Sequence, residues 1–144
     1  MTVRRKAREA ALQFLFQDDF SAQGIDGGEA EDLTSRFEHF CVLYPVQKKA
    51  RPYALELLSG VFEHLGEIDA LIREHASNWR LERIAVTDRN LLRIAVCEIK
   101  FVEDTPDGVV INEAVEIAKR FGGGDSPAFV NGVLDAVKET LGKK

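Results

Sequence analysis

The sequence is poor in residues that staple, break or anchor a chain. Its 144 residues hold two cysteines, Cys41 and Cys97, too few for a disulfide framework or a cysteine-based metal site. Each stands alone in an apolar helical pattern, which suits a reduced core residue. No apolar run approaches the ~18 residues that span a bilayer, so a membrane helix is excluded. The first residues are basic and then amphipathic, unlike a secretory signal, which points to a cytoplasmic location. His39, His64 and His75 are far apart and none belongs to an H-E-x-x-H pair, so a zinc site has no support. Gly122-Gly123-Gly124 has no strand before it and no Lys-Ser/Thr after it, so it is not a phosphate-cradling loop. Glu113 and Glu116 are expected to pair with Lys119 and Arg120 at helical spacing. The expectation is therefore no enzyme, no metal and no cofactor.

What is present is an ordinary globular composition, 45% hydrophobic and 30% charged. A chain of this length buries roughly 70% of its unfolded surface and needs no staple, so one domain over residues 1–144 is expected. The net charge of −5 conceals an asymmetry. Arg4, Arg5, Lys6 and Arg8 lie in the first eight residues without an acid, whereas residues 17–40 carry seven acids against Arg36 alone. That excludes a uniformly basic protein coating nucleic acid and leaves a local basic arm on an acidic body.

Apolar periodicity predicts helix almost throughout. Ala7, Ala11, Phe14 and Leu15 mark a first helix over about 3–20, and the glycines of 21–29 mark a loop. A second helix is expected at about 30–43 and a third at about 52–64, with Pro52 in its first turn. Gly66 is expected to punctuate before a fourth helix at about 67–77. After a connection at 78–83, Thr87 is expected to cap a long fifth helix with Asp88 in its first turn. A sixth helix ends at Phe121 with Gly122 as its stop, and Ser126-Pro127 opens a seventh. No alternating strand pattern and no internal repeat appear. The fold class is all-α, with about seven helices.

Two features point to chemistry. At helical spacing the arginines of the arm share a face, and arginine forks onto phosphate and stacks on bases. Positive charge in a first turn also opposes the helix dipole, a mild misfit that a bound anion would relieve. The second feature is Phe129, which with Ser126 as cap falls in the first turn of the last helix. It is either a staple into the core or an exposed ring able to stack on an unpaired base.

The stretches Val109–Gly122 (VVINEAVEIAKRFG) and Phe129–Asp135 (FVNGVLD) closely resemble the signature of the NusB transcription-antitermination family. So do Arg5–Gln13 (RKAREAALQ) and Leu92–Glu98 (LRIAVCE), and the blocks lie in the same order over nearly the whole chain. The resemblance implies seven helices in two three-helix subdomains, with the N-terminal helix joined to the first, and a non-enzymatic role. It implies a pairing with the ribosomal protein that doubles as NusE and binding to the boxA element of nascent ribosomal RNA. It also implies joining RNA polymerase and the other Nus factors, and admits a homodimer that hides the RNA surface.

Carried onto this chain, the resemblance assigns Arg4, Arg5, Lys6 and Arg8 to RNA, with Gln13 further along the same helix. Asp125, Phe129 and Asn131 match a second RNA patch, which favours stacking for Phe129. Phe16, Glu82 and Asp88 match positions that face NusE, where acids suit a basic partner. The chain departs from the pattern at Phe16 and Cys97, where tyrosine is common, and at Ala128, where lysine is frequent. Its Gly122–Gly124 run is expected to make the loop before the second patch unusually pliable.

Overall fold

A computed structural model describes residues 2–19, 32–76 and 80–142. Among them are seven α-helices and no strand: α1 Val3–Asp19, α2 Leu33–Leu43, α3 Arg51–Glu63, α4 Leu65–His75, α5 Val86–Phe101, α6 Asp107–Phe121 and α7 Ser126–Leu141. Two short 3-10 turns, Lys48–Ala50 and Leu81–Arg83, lead into α3 and α5. The all-α reading and the seven expected helices hold. The loop expected at 21–29 and the connection at 78–79 lie outside the described residues.

The helix boundaries differ from expectation at three places, each for a local reason. Gly66 is inside α4, because the break comes at His64, whose N–H closes α3 on Gly60 and whose C=O opens α4 on Ile68. Thr87 does not cap α5. The helix begins at Val86 with Ala85 in the cap position and no side-chain cap, although Asp88 is in the first turn as expected. Ser126 is the first residue of α7 rather than its cap. Its hydroxyl turns back to accept the Gly123 N–H at 2.9 Å, which pins the glycine loop expected to be pliable. A Cβ at Gly122 would lie 2.5 Å from the Ser126 hydroxyl, so that close approach requires glycine.

α5 is the axis of the molecule. From Leu91 to Ile99 every residue is buried, so α5 presents no polar face, and it packs against α1, α3, α4, α6 and α7. The seven helices share one hydrophobic cluster around it. A helix buried all round must neutralise each polar side chain it carries. Arg93 does so with Asp69 of α4 through two bonds of 2.8 and 3.0 Å. Asn90 donates to Asp19 of α1 at 2.6 Å. Glu98, 1% exposed, accepts from Arg8 of α1 and Tyr53 of α3.

The small residues set the spacing. A Cβ at Gly60 of α3 would fall 2.6 Å from Cys97 Sγ, so glycine admits α5 there. Both cysteines are buried and free. Burial pushes the Cys97 thiol up to about 12, so it stays protonated and is no nucleophile at neutral pH. α2 is held on α1 by rings, with Phe14 edge-on to Phe37 and Phe40 at centroid distances of 5.9 and 5.5 Å. No described helix is long and apolar enough to cross a membrane.

Candidate RNA and partner interface

The basic arm is the first turn of α1, and the fold supplies the acids it lacks. Arg4 donates through both terminal nitrogens to Asp104, at 3.1 Å each, and lies 4.2 Å above the centre of the Tyr53 ring. Arg5 forks onto Glu113 of α6 at 2.7 and 2.8 Å. These hydrogen bonds hold both carboxyls below the usual carboxylate range, chiefly through Arg4 for Asp104 and Arg5 for Glu113.

Arg8 goes further inward. It is 4% exposed and forks onto Glu98 at 2.7 and 2.8 Å, with a second carboxylate, Glu113, at 3.6 Å. Tyr53 donates to the same Glu98 at 2.5 Å, and burial together with that bond raises the phenol. The face that Arg5 and Arg8 share is therefore not an open one. Arg8 is buried and Arg5 is half-buried, because α1 lays its inner side on the carboxylates of α5 and α6. Glu113 is likewise taken by Arg5 rather than by Lys119 or Arg120. Glu116 pairs with Lys119 as expected, at 3.1 Å.

Lys6 and Gln13 point the other way and are exposed. They line an open polar groove of about 330 Å³ with Glu9, Gln47 and Arg120. Gln13 also borders a second, largely apolar groove of about 780 Å³, with Phe16, Tyr44, Thr87 and Phe121. Phe16 is 43% exposed there. The first turn of α5 thus sits beside Phe16, although Thr87 and not Asp88 lines that groove.

Asp88 is buried, 8% exposed, and its Oδ1 has no hydrogen-bond partner among the described residues. It borders a third groove of about 770 Å³ with Arg83, Ile84, Gly124, Asp125 and Phe129. Lysine at 88 would therefore cost stability, since an ammonium there would be buried. Glu82 is exposed on the 3-10 turn and lines none of these grooves.

Phe129 is half-buried. It packs against the core and also faces the third groove, so staple and open ring are combined in one side chain. It is the fourth residue of α7, and its N–H already donates to the Asp125 C=O at 3.1 Å rather than standing unpaired. Asp125 is exposed beside it. Asn131 is exposed as well, but two residues on, about 200° around the helix, and is not in that groove. Among the described residues no group of three or more His, Cys, Asp or Glu side chains could hold a metal ion.

Sequence reasoning missed Tyr53 and the reach of Glu98. The available signal was an acid within an otherwise apolar helix, which has to find a buried cation. It also missed Arg120, half of whose side chain is exposed at the end of α6.

The NusB family model matches residues 5–139. The transcription antitermination protein NusB of Desulfotalea psychrophila is 60% identical over 138 residues, 96% of each chain. A solved structure of T. maritima NusB covers 94% of this chain, and 90% of its own, at 40% identity and a TM-score of 0.79. A crystal structure of the antitermination factors NusB and NusE in complex with dsRNA covers 97% of this chain and 98% of its own, at 28% identity and a TM-score of 0.80. With block order, helix order and nearly the full length in agreement, the chain belongs to the NusB family.

Proposed function

We propose that this chain is a transcription antitermination factor that acts by binding, with no catalytic step, and that residues 1–144 act as one unit. With ribosomal protein NusE it binds the boxA element of nascent ribosomal RNA in the cytoplasm. The assembly then joins RNA polymerase and the other Nus factors so that transcription resists termination. The observation that carries this reading is the solved complex in which a NusB of the same fold is held with NusE and dsRNA.

The geometry supports a division of labour. Lys6 and Gln13 on the outer side of α1, and Phe129 with Asp125 at the start of α7, offer RNA a cation, an amide and a ring. Arg4 and Arg5 can reach phosphate by leaving Asp104 and Glu113, whereas Arg8 serves the fold. Phe16 and Thr87 present an apolar surface to NusE, with Glu82 and Asp88 adding negative charge nearby.

The ion pairs that occupy Arg4, Arg5 and Arg8 favour one other reading, a helical module that works through protein partners without touching RNA. Titration of boxA RNA, alone and with NusE, at several salt concentrations separates the two. RNA binding that weakens linearly with the logarithm of salt supports the first. NusE binding with no RNA binding in either setting supports the second. A homodimer that covers the same face would show as RNA affinity falling when protein concentration rises.

A further inference from the structure

We infer that Arg120 is an RNA-contacting residue, placed so that a single strand crosses from the α1 arm to Phe129 along the polar groove between α1 and α6. The inference rests on the RNA-binding reading above and names the path within it. Lys6, Glu9 and Gln13 follow one another along one side of α1 at helical spacing, and Arg120 closes the groove from the last turn of α6. Gln13 belongs both to this groove and to the next, which Phe121 borders. Beyond Phe121 the chain passes through Gly122–Gly124 into the groove of Phe129. The two RNA patches are therefore joined by a continuous surface with Arg120 at its middle.

The chemistry of Arg120 fits a strand rather than a structural pair. Its guanidinium lies over the Phe121 ring, 5.1 Å from its centre and within cation–π range. It uses a single nitrogen, Nη1, for both oxygens of Glu9, at 3.1 and 3.2 Å. Among the described residues, Nε and Nη2 make no hydrogen bond, and the side chain is 57% exposed. Those donors are free to fork onto a phosphate, and the upper face of the guanidinium is free to stack on a base. Lys6 adds a second cation to the groove, and among the described residues Glu9 is its one acid. Arg8, by contrast, has Nε and Nη2 on Glu98 and Nη1 near Glu113.

The test measures a boxA single-stranded RNA oligonucleotide against wild type, Arg120→Ala, Arg120→Lys and Glu9→Gln, across a salt series and beside NusE affinity and thermal unfolding. Arg120→Ala should lose about tenfold in RNA affinity at low salt and lower the salt slope by about 0.7, one single-strand phosphate contact. Arg120→Lys should keep the slope and recover part of the affinity. Glu9→Gln should bind RNA more tightly than wild type, since it removes the acid that faces the phosphates. NusE affinity and melting temperature should not move. Arg120→Ala with the affinity and slope of wild type overturns the path and leaves the RNA-binding reading standing. Loss of NusE affinity without an RNA effect also overturns it, and makes this a protein surface. A wild type that binds no RNA, with or without NusE, removes the broader reading and this one together.

Discussion

The two candidate RNA patches are built in opposite ways. The arm on α1 is local in sequence, four cations within five positions, but the fold answers three of them with acids from about 90 to 108 residues further along. The patch at α7 carries no cation between Gly122 and Asn131, and its key side chain is a ring shared between core and groove. The difference teaches that a charged cluster reports on phosphate binding only after its intramolecular partners are known. A half-buried ring beside a glycine loop keeps its ligand-facing side.

The largest effect expected from breaking this comparison is at Arg8. Arg8→Ala leaves Glu98 buried without its guanidinium, a change that typically costs 3–5 kcal/mol. Urea unfolding should show that loss, with only Tyr53 left to donate to Glu98. A near-wild-type midpoint would return Arg8 to the set available to RNA.

Phe129→Ala should move both quantities by intermediate amounts. A fully buried phenylalanine costs about 3–5 kcal/mol, and this half-buried ring should cost roughly half of that. Its stacking contribution to RNA affinity should be about 1–3 kcal/mol. Unfolding and boxA titration on the same preparation read the two together. A stability loss of the full buried size with unchanged RNA affinity would make the ring a staple only.

Glu113 sharpens the comparison through pH. Its carboxyl is held below the ordinary value, first by the Arg5 hydrogen bonds, so its contribution is present above the ordinary carboxylate value. It is lost as pH falls past the ordinary value and through the lower, folded one. Glu113→Gln should flatten that part of the acid-unfolding profile and cost no more than about 1 kcal/mol at neutral pH. By releasing Arg5 it should also strengthen RNA binding and steepen its salt dependence. Weaker RNA binding instead would mean that the pair positions Arg5 rather than withholding it.

The smallest effect is expected at Asp88. Asp88→Asn keeps the shape and removes the charge near the start of α5, worth about 0.3–1 kcal/mol through the helix dipole. NusE affinity, followed calorimetrically, should fall while RNA affinity in the absence of NusE stays constant. Unchanged NusE affinity would make Asp88 a helix-stabilising acid alone.

Much of this was legible in the chain. The 3.6-residue recurrence of Leu, Ile, Val and Ala located all seven helices, because a helix must bury one stripe wherever it packs. Phe129, Phe16 and the arm stood out as candidates from residue type, position and family resemblance. The helix starts at α4, α5 and α7 were not, since Gly66, Thr87 and Ser126 carry start or stop signals that their surroundings overrode. Ser126, for example, satisfies the Gly123 N–H instead of capping its own helix.

The sequence by itself determined an all-α protein, a basic first turn on an acidic body, and membership of a family that works by binding. Which of the arginines face outward was decided only by the tertiary structure. Local spacing places Arg5 and Arg8 on one face of α1, but whether that face meets water depends on Glu98 and Glu113, which arrive from α5 and α6. Charge is a property of the residue. Its availability depends on the distance and burial of opposite charges, and only the packed chain sets these.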